Sequence, residues 1–278
     1  MKVKTAAKVN LNLSIQNSTD SKLHKLDSLI VPIDLYDEID IHIANENRDN
    51  IVFTNNDNLS KESTIHKALA CLRGNTDLTN FFNIRIDKGI PIEAGLGGGS
   101  SDAAAVLVSI EKMLDLQLPD YLVIANEVGS DVPFFINGKP AKVKNIGDKV
   151  EDYFIEKEIF FLIILPNFGL STKNVFNQWD ILKKGNLETE KHKIFDSIEV
   201  FNDASHAAFY LEPRLKEMKE LIEEELETNI FLTGTGSTLF AVFDNKEDAH
   251  LCKEKLVIDN CSTLVTKKID YSYKALSD

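Results

Sequence analysis

From Lys8 to Ile15, apolar and polar residues alternate strictly. Val9, Leu11, Leu13 and Ile15 fall on one side, and Lys8, Asn10, Asn12 and Ser14 on the other. A period of two predicts a half-buried β-strand. The pattern returns at Ile39, Ile41 and Ile43 around Asp40 and His42, and at Phe82, Ile84 and Ile86 interleaved with Asn83, Arg85 and Asp87. Between these two, residues 61–72 read as a helix. Ala103, Val106, Leu107, Ile110, Met113 and Leu114 then recur at helical spacing, with Ser100, Ser101 and Asp102 as suitable N-cap and first-turn residues. Pro119 suits the first position of another helix over 120–128, which Gly129 can end.

The pattern shifts after Asp148. Residues 159–165 form a continuous apolar run, which predicts a buried strand stopped by Pro166. Residues 180–193 are polar and charged, and read as a loop or linker. Leu215, Met218, Leu221, Ile222 and Leu226 line one face of a helix whose other face is glutamate-rich and solvated. A strand over 238–243, a helix over 246–256 and a last strand over 264–269 complete the pattern. It predicts an α+β chain of two domains, 1–150 and 151–278, meeting near 148–158. A length of 278 residues accommodates both.

Composition narrows the possible functions. Hydrophobic residues make up 43% and charged residues 27%, as in an ordinary globular protein. A net charge of −13 with no long basic run argues against a nucleic-acid partner. A small phosphorylated ligand stays open, because backbone amides and one or two lysines can serve it. Cys71, Cys252 and Cys261 show neither CxxC spacing nor grouping with histidine, so reduced thiols are expected. The N-terminus lacks the apolar run of a signal peptide, and no stretch reaches the ~18 apolar residues of a membrane span. The expectation is a cytoplasmic protein without a membrane partner.

Candidate chemistry concentrates at residues 91–107, PIEAGLGGGSSDAAAVL. Four of the 13 glycines (Gly95, Gly97, Gly98, Gly99) fall within five positions. The stretch runs straight into a helix, unlike a flexible linker. It lacks the third glycine of the dinucleotide fingerprint and the lysine of the P-loop. What remains is another kind of anion cradle, in which unobstructed loop amides and a helix N-terminus face the ligand. The hydroxyls of Ser100 and Ser101 add donors or a magnesium ligand. Asp102 suits such a place only with a neighbouring cation or an outward orientation.

This stretch resembles the second motif of the GHMP kinase superfamily, small-molecule kinases named for galactose, homoserine, mevalonate and phosphomevalonate. Other pieces agree, in the same order: AAKVNLNL at 6–13, LHKL at 23–26, GSDVPFF at 129–135 and LTGTGSTLF at 232–240. The triple glycine before SSDAAA is most similar to the branch acting on a cytidine-diphosphate-linked methylerythritol in the non-mevalonate isoprenoid route. The resemblance implies a two-domain fold, with an N-terminal domain of the ribosomal protein S5 domain 2 type and a ferredoxin-like C-terminal domain. It implies ATP and Mg2+ as cofactors, a small-molecule substrate and a monomer or homodimer.

Site residues follow by the same resemblance. Asp131 is the implied general base, and Lys8 the cation that keeps it ionised and polarises the hydroxyl. Lys88, Pro91, Ile92, Glu93, Ala94, Gly95, Leu96, Gly97, Gly98, Gly99, Ser100 and Ser101 are expected at the nucleotide, with Ser101 the candidate metal ligand. Asn10, His24, Thr172 and Phe176 are expected at the substrate, His24 to recognise the cytosine ring and Phe176 to stack on it. Gly234, Thr235 and Gly236 form a turn, expected between a strand and a helix, that closes on the site. Leu23 stands where the family carries a tyrosine.

Overall fold

The computed structural model describes residues 1–16, 24–54, 63–116, 121–183, 189–195 and 197–276. The alternating N-terminal segment forms β1 (Lys2–Asn10) and β2 (Asn12–Gln16), interrupted at Leu11. The chain continues through β3 (Lys25–Ile43), β4 (Asn50–Phe53), α1 (Thr64–Asn75), β5 (Phe82–Asp87), α2 (Gly98–Leu114), α3 (Tyr121–Val128), α4 (Val132–Asn137), β6 (Ala141–Asn145) and β7 (Lys149–Asp152). The other half comprises β8 (Phe160–Pro166), α5 (Thr172–Leu182), β9 (His192–Ile194), β10 (Ile198–Asn202), α6 (Ser205–Leu211), α7 (Pro213–Leu226), β11 (Phe231–Leu232), β12 (Leu239–Phe243), α8 (Lys246–Lys255), β13 (Cys261–Lys267) and β14 (Tyr273–Leu276).

Two sheets organise these elements. In the larger one the long strand β3 pairs with β1, β2, β5 and β6. Ile39, Ile41, Ile84 and Ile86 point from it into a core shared with α1–α4, as their period of two requires. The smaller sheet has the order β11-β12-β8-β13, all antiparallel. With helices in the crossovers this is the ferredoxin-like strand–helix–strand–strand–helix–strand path.

The continuous apolar run in β8 has a simple cause. Leu162 and Ile164 pack against helices α5–α7, while Phe161 and Ile163 join Val9, Leu11, Val31 and Leu96 of the other half in a shared core. Both faces of β8 are covered, so alternation is lost. The larger sheet draws strands from both sides of residue 150: β10 pairs parallel with β2, and β14 antiparallel with β1.

Several expectations need correction. The helix after the glycines starts earlier than its serines, with Gly97 as N-cap and Gly98 as first residue. Lys8 and Asn10 are 4% and 5% exposed, so β1 is covered on both faces. The predicted linker over 180–193 begins with the end of α5, which buries Val175 and Trp179, and runs into the start of β9, while its residues 184–188 lie outside the described residues. The turn at Gly234–Gly236 joins two strands, β11 and β12. Position 23 lies outside the described residues, as do 61–62 and 119–120 of the two predicted helices.

Candidate active site

The glycine stretch is strapped to β1 and to the β11–β12 turn by backbone. Lys8 N–H donates to Leu96 O at 3.0 Å, and Thr238 N–H to Ala94 O at 3.3 Å. Gly97 turns the chain with φ 74° into α2, where Ser101 N–H makes the bond to Gly97 O. A side chain at Gly97 would meet the Phe135 ring at 2.8 Å, so only glycine fits both turn and neighbour. The amides of Gly98, Gly99 and Ser100 head a helix of 17 residues and have no intrahelical acceptor. That is the polarity an anion needs.

A cleft of about 510 Å³ lies over this turn. Pro91–Ser100, Lys88 and Asp102 line one side, Lys8, Asn10, Ser130 and Asp131 the floor, and Thr172, Phe176 and Thr235 the side from the C-terminal half. Lys8 Nζ lies 3.9 Å from Asp131 Oδ2. Asp131 is the N-cap of α4 but makes no side-chain capping bond, which leaves its carboxylate to the cleft. Lys8 also donates to Asn10 Oδ1, and Asn10 bonds Ser28 Oγ at 2.8 Å and Thr233 Oγ1 at 2.9 Å through its own N–H groups. Burial pushes the Lys8 pKa down, and Asp131 pulls it part of the way back.

Lys88 borders the cleft with its ammonium already engaged. Its ammonium bridges Asp37 and, at 2.8 Å, Asp102. Asp37 also accepts from the Gly89 and Ile90 amides at 2.8 Å each. The cation therefore sits between two buried carboxyl groups, those of Asp37 and Asp102. Burial raises the Asp102 pKa to about 8 against the pull of Lys88, and its Oδ1 has no partner among the described residues. Ser101 is corrected too. It is fully buried, and its hydroxyl donates inward to Ala6 O at 2.6 Å and contacts Thr5, so it does not face the cleft.

At the other end, Thr172 Oγ1 is 3.0 Å from Thr235 Oγ1. The His24 ring stacks on Phe176 with centroids 4.9 Å apart and planes at 13°. Phe176 borders the cleft and His24 does not. Sequence reasoning missed Thr233, Ser63, Thr64 and Phe53 as neighbours of the site. Thr233 lies in the quoted LTGTGSTLF motif, whereas Ser63, Thr64 and Phe53 carry no local signal and arrive by the packing of α1 and β4.

Comparison with known proteins shows the family and the fold. The model of the GHMP kinases N terminal domain matches residues 63–139, and that of GHMP kinases C terminal matches 185–262. The 4-diphosphocytidyl-2-C-methyl-D-erythritol kinase of Pelagibacter ubique is 34% identical over 256 residues, 88% of this chain and 90% of the relative. That of Ureaplasma parvum is 32% identical over 262 residues, 89% and 98% of the two chains. The chain belongs to the 4-diphosphocytidyl-2-C-methyl-D-erythritol kinase family of GHMP kinases. A solved structure of 4-(cytidine 5'-diphospho)-2C-methyl-D-erythritol kinase superposes with a TM-score of 0.74 at 23% identity, covering 96% and 98%. A homoserine kinase from Cytophaga hutchinsonii reaches 0.70 at 16% identity, covering 99% and 96%. These two share the fold. As a GHMP kinase the protein is an ATP-using small-molecule kinase, and no helix among its described residues is long and apolar enough to cross a membrane.

Proposed function

We propose that this kinase transfers the γ-phosphoryl group of ATP to the 2-hydroxyl of 4-diphosphocytidyl-2-C-methyl-D-erythritol. The observation that carries the reading is the Lys8–Asp131 pair, 3.9 Å apart on the floor of a cleft walled by the glycine turn. Phosphoryl transfer depends on positioning and charge stabilisation more than on covalent help. The amides at the head of α2 hold the triphosphate. Asp131 accepts the hydroxyl proton as the oxygen bonds to the γ-phosphorus and ADP leaves. Lys8 keeps Asp131 ionised and offsets charge on the transferring group. Asn10 orients Lys8, and Thr172 and Phe176 face the cytidine-bearing end.

Among the described residues no three His, Cys, Asp or Glu side chains gather to hold a metal. Magnesium keeps several waters and is held largely by substrate phosphates with one or two protein ligands, carboxylates as a rule and a serine or threonine hydroxyl in some phosphoryl-transfer sites. The Ser100 hydroxyl, which borders the cleft at the helix N-terminus, fits as one such oxygen. The ion would supply charge neutralisation on the phosphates.

The test is incubation of the purified protein with Mg-ATP and 4-diphosphocytidyl-2-C-methyl-D-erythritol, followed by phosphorus NMR. A new phosphomonoester and stoichiometric ADP are expected. Transfer to a different alcohol in a panel, with none to this one, would overturn the substrate assignment.

A further inference from the structure

Helix α5 presents Phe176, Trp179 and Asp180 on one face, and Lys183 follows just beyond its end. The spacing is i, i+3, i+4 and i+7, which brings four side chains into one row. His24 lies on that row. Its ring stacks on Phe176, meets the Trp179 edge at 5.5 Å and 88°, and its Nε2 is 3.0 Å from Asp180 Oδ1. Asp180 also accepts from Lys183 at 2.7 Å, and the Lys183 ammonium sits 4.5 Å from the Trp179 centroid. Partial burial would raise the Asp180 carboxyl, but the hydrogen bonds from Lys183 and His24 outweigh it and hold it below the usual carboxylate range. Phe176 borders the cleft while His24 covers one of its faces from outside it. A base entering the cleft therefore meets Phe176 before it meets the imidazole.

We propose that Asp180 is a positioning residue for the base-binding wall: it pins the His24 ring to the back of Phe176, so that Phe176 offers one ordered face to a pyrimidine base. This rests on the cytidine-linked substrate proposed above. It gives His24 the part of an aromatic backing. An ordered platform lowers the entropy lost when the base is immobilised, and no residue at position 23 is needed for it.

Trp179 is the single tryptophan of the chain, so its fluorescence reports binding at this wall. The probe is cytidine 5'-diphosphate, titrated into wild type, Asp180→Ala, Asp180→Asn, His24→Ala, His24→Phe and the Asp180→Ala/His24→Ala double variant. Asp180→Ala is expected to weaken binding about fivefold, the size of one net hydrogen bond. Asp180→Asn keeps an acceptor for Nε2–H and should recover most of that loss. His24→Phe should recover most of the loss seen in His24→Ala, because a ring without hydrogen-bonding atoms can still back Phe176. The double variant should bind no worse than His24→Ala, since Asp180 acts through His24. In turnover, Asp180→Ala should raise KM for the cytidylyl substrate while ATP KM stays level.

Unchanged binding in Asp180→Ala overturns the proposal. So does a full additional loss in the double variant, or a His24→Phe variant as weak as His24→Ala, which would make the imidazole itself a hydrogen-bonding reader of the base. Failure of the wild type to bind cytidine 5'-diphosphate overturns it whichever alcohol is phosphorylated. Binding without phosphorylation of the methylerythritol compound overturns the substrate assignment alone.

Discussion

Lys8 is an ammonium in a nearly closed environment, with its nearest carboxylate 3.9 Å away. Its folded pKa is lowered by burial, so protonation at neutral pH favours the unfolded chain. Desolvating such a charge costs free energy, and Asp131 keeps about a third of its side chain exposed (34%), so removing Lys8 strands no fully buried carboxylate while it removes the function that the charge serves. Lys8→Met is expected to keep or raise the thermal midpoint in calorimetry while turnover falls by about 10³-fold. Asp131→Asn should lower kcat by about 10² to 10⁴, the usual worth of a general base, yet bind a non-hydrolysable ATP analogue normally in titration calorimetry. Asp102 makes a pH-dependent difference. Its folded pKa is about 8 against an ordinary 3.8, so the folded state holds a proton that the unfolded state loses between those values. Its contribution to stability therefore falls as pH rises from about 4 to about 8. Unfolding curves of Asp102→Asn should coincide with wild type near pH 4 and show a growing advantage up to pH 8; parallel curves throughout would exclude the buried proton. The alternating pattern placed Lys8 and Asn10 on one side of a strand, and resemblance linked Lys8 to Asp131. Neither could show that Lys88 was already shared by Asp37 and Asp102, because Asp37 is 51 residues away from it.

At the scale of elements, the glycine turn and α2 form one unit. Gly97 is held at φ 74°, and a Cβ there would lie 2.8 Å from Phe135 and 3.0 Å from Lys8 Cγ. Gly97→Ala should therefore lower the melting temperature and weaken ATP-analogue binding at least tenfold, because the strained turn and the clash both act on the anion-facing amides. Retained affinity in the same calorimetric titration would show that the turn relaxes elsewhere. Helical periodicity marked α2 well, since its buried alanines and branched residues repeat every turn. It misplaced the cap, because serine and aspartate are good caps in general, whereas the left-handed start here is set by docking of the turn against β1 and Phe135. The same limit explains α5. Its sequence is polar enough to read partly as loop, and the two residues it buries, Val175 and Trp179, pack in one core with Leu162 and Ile164 of β8.

The whole molecule is closed by its last strand. β14 pairs with β1, the strand that carries Lys8, and Ser272 donates at 2.6 Å to Phe135 O within α4, which Asp131 caps. A chain ended after Asp270 should lose several degrees of thermal stability and most turnover, measured by scanning calorimetry and the phosphorus assay. Full activity in that truncation would mean that β1 holds its place without an outer partner. The sequence by itself determined the α+β class, the principal strands and helices and the order of the motifs, because periodicity and turn residues act over a few positions. Through the family resemblance it also marked the glycine turn, Lys8 and Asp131. The tertiary structure alone decided which polar groups face the cleft: Ser101 turns inward, Lys88 is shared by Asp37 and Asp102, and His24 backs Phe176. Those choices depend on partners tens to hundreds of residues apart, whose burial and hydrogen bonding exist only once both sheets have closed on the shared core.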